Sequence, residues 1–500
     1  MGSLSTNAEK KAARALDSID LKCIISNTTM KKISAFTDDA LGTMDAVAVA
    51  EAIANGKISA QEAAEAAIAR AEKVNGELNA IAIKIYDTAR EQTKTKPHGD
   101  FFGVPTFIKD NDNMKGLPTQ LGTYAFTSKL AKRNSKFVDQ YLSIGVNPLG
   151  KSTLPEFGLI CSTENPNWGI TRNPWNTDYT TGGSSSGSAA LVASGVVPIA
   201  TANDGAGSTR IPASCCGLVG LKPSRDRLIN FDGSEVLPLN LGYQGVLTRT
   251  VRDTAAFYAA AEKHYCNPKL PAMGLVQHPG KKRLKVLFFD NIAEGKIGHQ
   301  DADTYQTQLH AAKLMTSLGH TVEQIPFPFD IGEMSQHFLN YYGFFAFAFT
   351  SMSGLMVKAK VDKKQLENFT TGLSAQFKKN ALKLPKSLRI LKKSGAEAER
   401  YLEEYDLIMT PVLSQKVPKI GHFNMELPYQ EIAHRAVSFA SYTGLQNVTG
   451  SPAISIPMST SSDGLPIGVQ FIAPFGQDKT LLELAYEIEM AQPWSFLYNS

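Results

Sequence analysis

Apolar residues recur at helical spacing from Met44 onward. Ala46, Val49, Ala50 and Ile53 form one stripe that stops at Asn55-Gly56, which predicts a short amphipathic helix. Ser59 then stands three residues before Glu62, the reciprocal capping arrangement that opens a helix, so a second short helix is predicted directly after the first. The period then changes. Phe102 to Ile108 reads as a turn entering a short buried strand that delivers Lys109 at its end. Val196 to Ala202 is a second apolar strand, reached through Ser188 to Gly195, whose small side chains permit a closely packed helix. A strand over Leu284–Phe289, a helix around Thr304–Leu318 and a strand over Thr321–Ile325 repeat the alternation, which indicates an α/β sheet.

Two segments depart from this rhythm. Residues 1–40 mix Ala, Lys and polar residues with weak periodicity, and predict a helical or partly mobile extension. Residues 41–500 show no internal repeat or low-complexity linker, so a single domain is expected there. Within it, Phe338 to Val357 runs without a charge for the length of a membrane span. Asn340, Gly343, Thr350, Ser351, Ser353 and Gly354 interrupt its apolarity, and a buried helix lining a core or pocket is the better reading, with no stable membrane insertion. Residues 357–400 are Lys-rich and helical, a solvated face followed by Glu397, Glu399, Glu403 and Glu404.

Composition narrows the function class. Lys and Arg number 51 against 47 Asp and Glu, 43% of residues are hydrophobic and 20% charged, a balance that excludes disorder and gives no basic surface for nucleic acid. The five cysteines, Cys23, Cys161, Cys215, Cys216 and Cys266, are odd in number and contain no C-x-x-C pair. Neither a disulfide framework nor a thiolate zinc site is expected, and a reducing, cytoplasmic setting fits. No His-x-x-x-His occurs, so no metal or other cofactor is expected. The N-terminus lacks a signal-like apolar run. Gly2 and Thr6 match the myristoylation pattern, which so short a motif meets often by chance.

Chemistry concentrates in two small-residue segments. Gly182-Gly183-Ser184-Ser185-Ser186-Gly187-Ser188 has the composition of a flexible loop and lacks the Lys of a phosphate-binding loop. In Asn203-Asp204-Gly205-Ala206-Gly207-Ser208-Thr209-Arg210-Ile211-Pro212 an apolar strand ends in a turn holding one Ser, where glycines leave backbone N–H groups unshielded beside its hydroxyl. A serine nucleophile needs a base. No His lies between His98 and His264, so the base is a remote His such as His422 or His434, or a Lys kept neutral by burial, for which Lys109 is placed at a strand end.

Gly103-Val104-Pro105-x-x-x-Lys109-Asp110, the Gly182–Ser188 run and Asp204-x-x-Gly207-Ser208-x-Arg210-x-Pro212-Ala213 together closely resemble the amidase signature family. Further blocks resemble it too: Gly150-Lys151-Ser152 with Pro155-Glu156-Phe157, Gly217 to Pro223, and Gly450 through Gln470. The likeness covers roughly Met44–Tyr265 and Tyr405–Trp494. Trp168-Gly169, Asn173 to Asn176, Asn203-Asp204 and Ser461 to Pro466 look most like the 6-aminohexanoate-cyclic-dimer hydrolases within it.

The resemblance implies a fold and a reaction. The fold is a central mixed, twisted sheet of about ten or eleven strands with helices on both faces, carrying a triad-bearing core over about 100–225 and a variable pocket region over about 330–400. The reaction is amide hydrolysis through a Ser-Ser-Lys triad. In it, Lys109 matches the base, Ser184 the bridging serine held by a cis Gly183-Ser184 peptide, and Ser208 the nucleophile, 24 positions after Ser184. The N–H groups of Gly205, Ala206, Gly207 and Ser208 would form the oxyanion hole, Ser185 would support the triad, and Asp204 and Arg210 would brace the turn. The partner implied is a small-molecule amide, and a homodimer is a candidate assembly. Two other readings stand beside it: the glutaminase subunit of a tRNA-dependent amidotransferase, and an inactive member retained for binding.

Three departures from the family pattern bear on local geometry. Ala206 replaces a common Gly, Thr153 a common Asn, and Asn147-Pro148 interrupts a strand that is usually apolar. In the charge-free segment, seven aromatics fall between Phe338 and Phe349. Tyr341 and Phe345 are the expected wall of an apolar substrate pocket, with complete burial in the core as the alternative.

Overall fold

The computed structural model describes residues 31–498, the side chain of Leu355 excepted. The N-terminal readings that fall on residues 1–30, including the myristoylation pattern, lie outside the described residues. Residues 31–40 carry no helix. They are irregular chain laid against the body, where Ile33 N–H donates to Pro174 O and Ala35 N–H to Ser194 O.

Helix α1 (Ala46–Ala54) starts where Asp45 accepts from Ala48 N–H, and buries Ala46, Val49 and Ala52. Helix α2 (Ala60–Leu78) opens on the Ser59–Glu62 capping box. It is longer than expected, 19 residues, because alanine-rich helical spacing continues to Leu78 before Asn79 turns left-handed at φ 47°. Three strands follow, β1 (Ile81–Lys84), β2 (Pro105–Lys109) and β3 (Asn147–Ser152), in the spatial order β1-β3-β2. Pro148 is tolerated inside β3 because β1 pairs only with residues 150–152, so the missing N–H falls beyond the end of that ladder.

The large sheet has eight strands: β4 (Ile199–Asp204), β5 (Val219–Lys222), β6 (Tyr243–Thr248), β7 (Lys285–Phe289), β8 (Thr321–Ile325), β9 (Leu407–Pro411), β10 (Ala453–Thr460) and β11 (Pro466–Ile472). Their order is β8-β7-β9-β11-β10-β5-β6-β4, parallel among β8, β7 and β9 and antiparallel elsewhere. The expected single sheet of ten or eleven strands is therefore divided into eight and three. No backbone ladder joins β2 to β4. Threonine hydroxyls bridge them instead: Thr106 Oγ1 donates to Ile199 O at 2.9 Å, and Lys109 N–H donates to Thr201 Oγ1 at 2.8 Å. This seam fixes the end of β2 against the end of β4.

Helices Val251–His264, Ala302–Ser317 and Asp478–Ala491 pack on the large sheet. The site is built from α3 (Ser186–Ala193) and α4 (Arg210–Cys216), and is covered by α5 (Ile331–Ser351), α6 (Asn368–Asn380), α7 (Leu384–Glu404) and α8 (Tyr429–Phe439). The uncharged segment lies mostly in α5, which packs against α6 and α7. Among the described residues, no helix is long and apolar enough to cross a membrane.

Candidate active site

All five residues of β2 are buried, and the Lys109 side chain is completely so. Its Nζ lies 2.7 Å from Ser184 Oγ, 3.0 Å from Ser185 Oγ and 2.7 Å from Asn203 Oδ1. No carboxylate forms an ion pair with it among the described residues. Burial pushes its pKa down from 10.5 to about 7, against the opposing pull of Asp112 and Asp204.

The Gly/Ser run is not a flexible loop. Residues 182–188 are all buried, and the Gly183–Ser184 peptide is cis. At Gly187 a Cβ would stand 2.3 Å from Ala80 O and 2.4 Å from Thr153 N, so only glycine lets α3 enter the body this closely. Ser185 Oγ donates to Ser208 O at 2.6 Å, tying the two small-residue segments together.

Beyond β4 the chain turns through Gly205–Thr209 into α4. Gly207 sits at φ 117°, and a Cβ there would meet Thr443 Oγ1 at 2.3 Å. Ala206 does not have a positive φ, so its methyl group is accommodated. Asp204 organises the turn. Its carboxylate accepts from Gly207 N–H at 2.7 Å and pairs with Arg210 through two bonds of 2.9 and 2.8 Å. Arg210 is itself fully buried and also donates to Gln446, Gln470 and Asn447. This environment holds the Asp204 carboxyl at about 2, with burial alone working in the other direction.

One expectation is corrected here. Gly207 N–H, assigned to the oxyanion hole, is already committed to Asp204 Oδ1. The N–H groups of Gly205, Ala206 and Ser208 have no acceptor among the described residues. Nor is the hydrogen bond implied between Ser184 Oγ and Ser208 Oγ made in this structure, whereas that between Lys109 and Ser184 is.

Ser208 opens into a cavity of about 100 Å³, lined by Leu159, Ile160, Phe338, Tyr342, Phe369 and Val437 among others. The described lining carries no charged side chain. The aromatic segment supplies a wall, but through other residues than those expected: Phe338 and Tyr342, four residues apart, line the cavity with Leu339. Tyr341 and Phe345 do not line it. Tyr341 is fully buried and its hydroxyl donates to Leu239 O, while Phe345 packs on Tyr341 and Phe344. Phase alone does not decide this, because Phe345 lies seven residues beyond Phe338 on nearly the same side of α5; the stretch of α5 that lines the cavity ends at Tyr342, short of Phe345.

Neither His422 nor His434 lines the cavity. Cys161 does, but burial raises its thiol to about 12, which keeps it protonated. Thr153 faces away, sharing a hydrogen bond with Thr171 and donating to Asn79 O, so that departure from the family pattern bears on packing.

Several residues of the site were given no role by the sequence, although Asn203 stands in a segment that it marked. Asn203 contacts Lys109 directly, and Thr201 holds its backbone. Asn447 donates to both Asp204 O and Asp204 Oδ1, and Thr443 Oγ1 donates to Ala206 O. Alternation along β4 could have marked Thr201 and Asn203 as facing the same side as each other. Asn447 and Thr443 lie about 240 positions away, beyond the reach of any local pattern.

A family model described as "Amidase" matches residues 62–482. A protein of Mycobacterium leprae named "Putative amidase AmiC" is 43% identical over 466 residues, 93% of this chain and 99% of that protein. The 6-aminohexanoate-cyclic-dimer hydrolase of Paenarthrobacter ureafaciens is 32% identical, covering 90% of this chain and 95% of its own. A solved structure of 6-aminohexanoate cyclic dimer hydrolase complexed with substrate superposes with a TM-score of 0.81 at 29% identity, over 90% of this chain and 97% of that one.

Proposed function

The chain belongs to the amidase signature family and is an amidase, and on that premise we propose that it hydrolyses small uncharged amides through an acyl-enzyme on Ser208, with Ser184 as proton bridge and neutral Lys109 as base. The observation that carries this reading is the hydrogen-bond arithmetic at Lys109. Asn203 Oδ1 can only accept. Ser185 Oγ gives its proton to Ser208 O, so toward Lys109 it too accepts. A neutral amine has two N–H groups, and these two acceptors use both. As an ammonium Lys109 donates to Ser184 as well; once the third proton is lost, that 2.7 Å contact reverses and the lone pair receives the O–H of Ser184.

Ser184 Oγ is then an acceptor for the Ser208 proton. Substrate binding closes that last contact, as catalytic hydrogen bonds often tighten only in the complex. Ser208 Oγ attacks the amide carbon while its proton passes through Ser184 to Lys109. The oxyanion is stabilised by the N–H groups of Gly205, Ala206 and Ser208, each donor contributing about 3 to 4 kcal/mol in comparable acyl transfers. The proton returns to the leaving nitrogen, the C–N bond breaks, and water hydrolyses the ester.

The cavity supports an apolar substrate. Glutamine carries an ammonium and a carboxylate, and the described lining offers no charged group to either. This favours a free-standing amidase over a glutaminase subunit. The test is a fluorophosphonate probe with mass-spectrometric site mapping. An adduct on Ser208 of the folded protein is expected, and its absence would sink the reading. A panel of linear, aryl and cyclic amides, the 6-aminohexanoate cyclic dimer included, then ranks substrates.

A further inference from the structure

A second cavity, of about 40 Å³, adjoins the one that holds Ser208. The two share Met334 and Ser441 as lining residues, so these side chains form the partition between them. The second cavity is walled by Phe289, Phe327, Phe329, Leu402 and Ile472, with Ala398 of α7 on one side.

Most of its polar lining is engaged within the protein, the exceptions being the amide nitrogen of Gln446 and the half-buried Glu399 carboxylate, which accepts one bond from Ser451. Ser441 Oγ donates to Val437 O and Ser438 O, Tyr442 hydroxyl donates to Gly298 O, and Thr410 Oγ1 donates to Pro411 O. Gln446 Oε1 accepts from Arg210, and Ser451 Oγ donates to Glu399. With most of its hydrogen-bonding groups turned elsewhere, the chamber presents mainly apolar surface to its contents. The partition itself is compliant on one side. Methionine is unbranched and has several rotatable bonds, so it yields where a β-branched residue would not.

We propose that this chamber is a distal subsite for the acyl chain, and that Met334 sets the chain length the enzyme accepts. The inference rests on the Ser208 reading for its direction. The acyl group stays attached to Ser208 while the amine leaves and water enters, so the acyl chain is the part of the substrate held long enough to occupy a chamber that adjoins the Ser208 cavity across Met334. The class of substrate is an amide with an unbranched alkyl or aryl-alkyl acyl chain that outgrows the first cavity.

The test separates binding from turnover. Calorimetry on the full chain carrying Ser208→Ala measures Kd for the primary amides from acetamide to dodecanamide. Adding Met334→Ala, whose side chain also lines the Ser208 cavity, should tighten the longest amides about 10-fold relative to acetamide, the lower end of what a methylene in a fitted pocket is worth. Ala398→Leu, which fills the chamber from α7 without touching the partition, should weaken the longest amides by a similar factor and leave acetamide unaffected. Identical chain-length profiles with and without Met334→Ala would overturn the proposal. So would an Ala398→Leu variant that binds dodecanamide as its parent does. Failure of hydrolysis in the otherwise unaltered enzyme, with the binding profile as described, counts against the Ser208 mechanism alone and leaves the chamber standing.

Discussion

Replacing Asn203 by Asp tests whether burial makes Lys109 a base. The substitution keeps the shape of the side chain and puts a negative charge where Oδ1 stands, 2.7 Å from Nζ. At an effective dielectric of about 20, two unit charges at that distance attract by about 6 kcal/mol. If the new carboxylate's own desolvation cancels half of this, about 3 kcal/mol remains, which lifts the lysine by about two pH units. The acid limb of kcat/KM for an anilide substrate should therefore move from about 7 in the parent to about 9 in Asn203→Asp. At pH 7 the neutral fraction falls from about half to about one in a hundred, so kcat/KM drops about 50-fold and recovers as pH is raised. The stability of the parent follows the same titration. The folded chain releases the Lys109 proton near 7 and the unfolded chain near 10.5. Between these values the unfolded state binds more protons, so Lys109 makes folding stability rise with pH across that window, and Asn203→Asp should flatten the rise. An acid limb that stays at about 7 in the variant would refute Lys109 as the titrating base.

Ser208→Ala and Lys109→Ala should abolish amide turnover, measured as released amine, while Ser184→Ala keeps a trace because water can carry the proton across the gap; a Lys109→Ala variant at the parent's rate would contradict the relay. Tyr341→Ala should lower the thermal midpoint by the equivalent of about 3 to 5 kcal/mol, as truncation of a large buried ring does, yet leave the ranking of acyl substrates unchanged. Tyr342→Ala should reorder that ranking, because Tyr342 lines the cavity beside Ser208. Arg210→Met removes one partner of a buried pair, and chemical denaturation should show a loss of about 3 to 5 kcal/mol, since Asp204 keeps its charge without its counterion.

What the sequence settled by itself was local. Capping at Ser59, the strand ending at Lys109, the strand over Thr321–Ile325 and the two small-residue segments could be read because each depends on neighbours within a few positions. The family likeness supplied the pairing of those segments, which periodicity alone left open. Tertiary structure decided the rest, for three physical reasons. A charge becomes a base only through burial, and the burial of Lys109 comes from a seam between two sheets whose facing strands lie about 90 residues apart. A backbone donor serves an oxyanion only if nothing else claims it, and Asp204 claims that of Gly207. Helical spacing along α5 does not say which of its turns meet the cavity, so the cavity took Phe338 and Tyr342 where Tyr341 and Phe345 were expected. Sequence carries such information only in combination, because packing on α6 and α7 sets how α5 lies against the cavity, and neither helix specifies it alone.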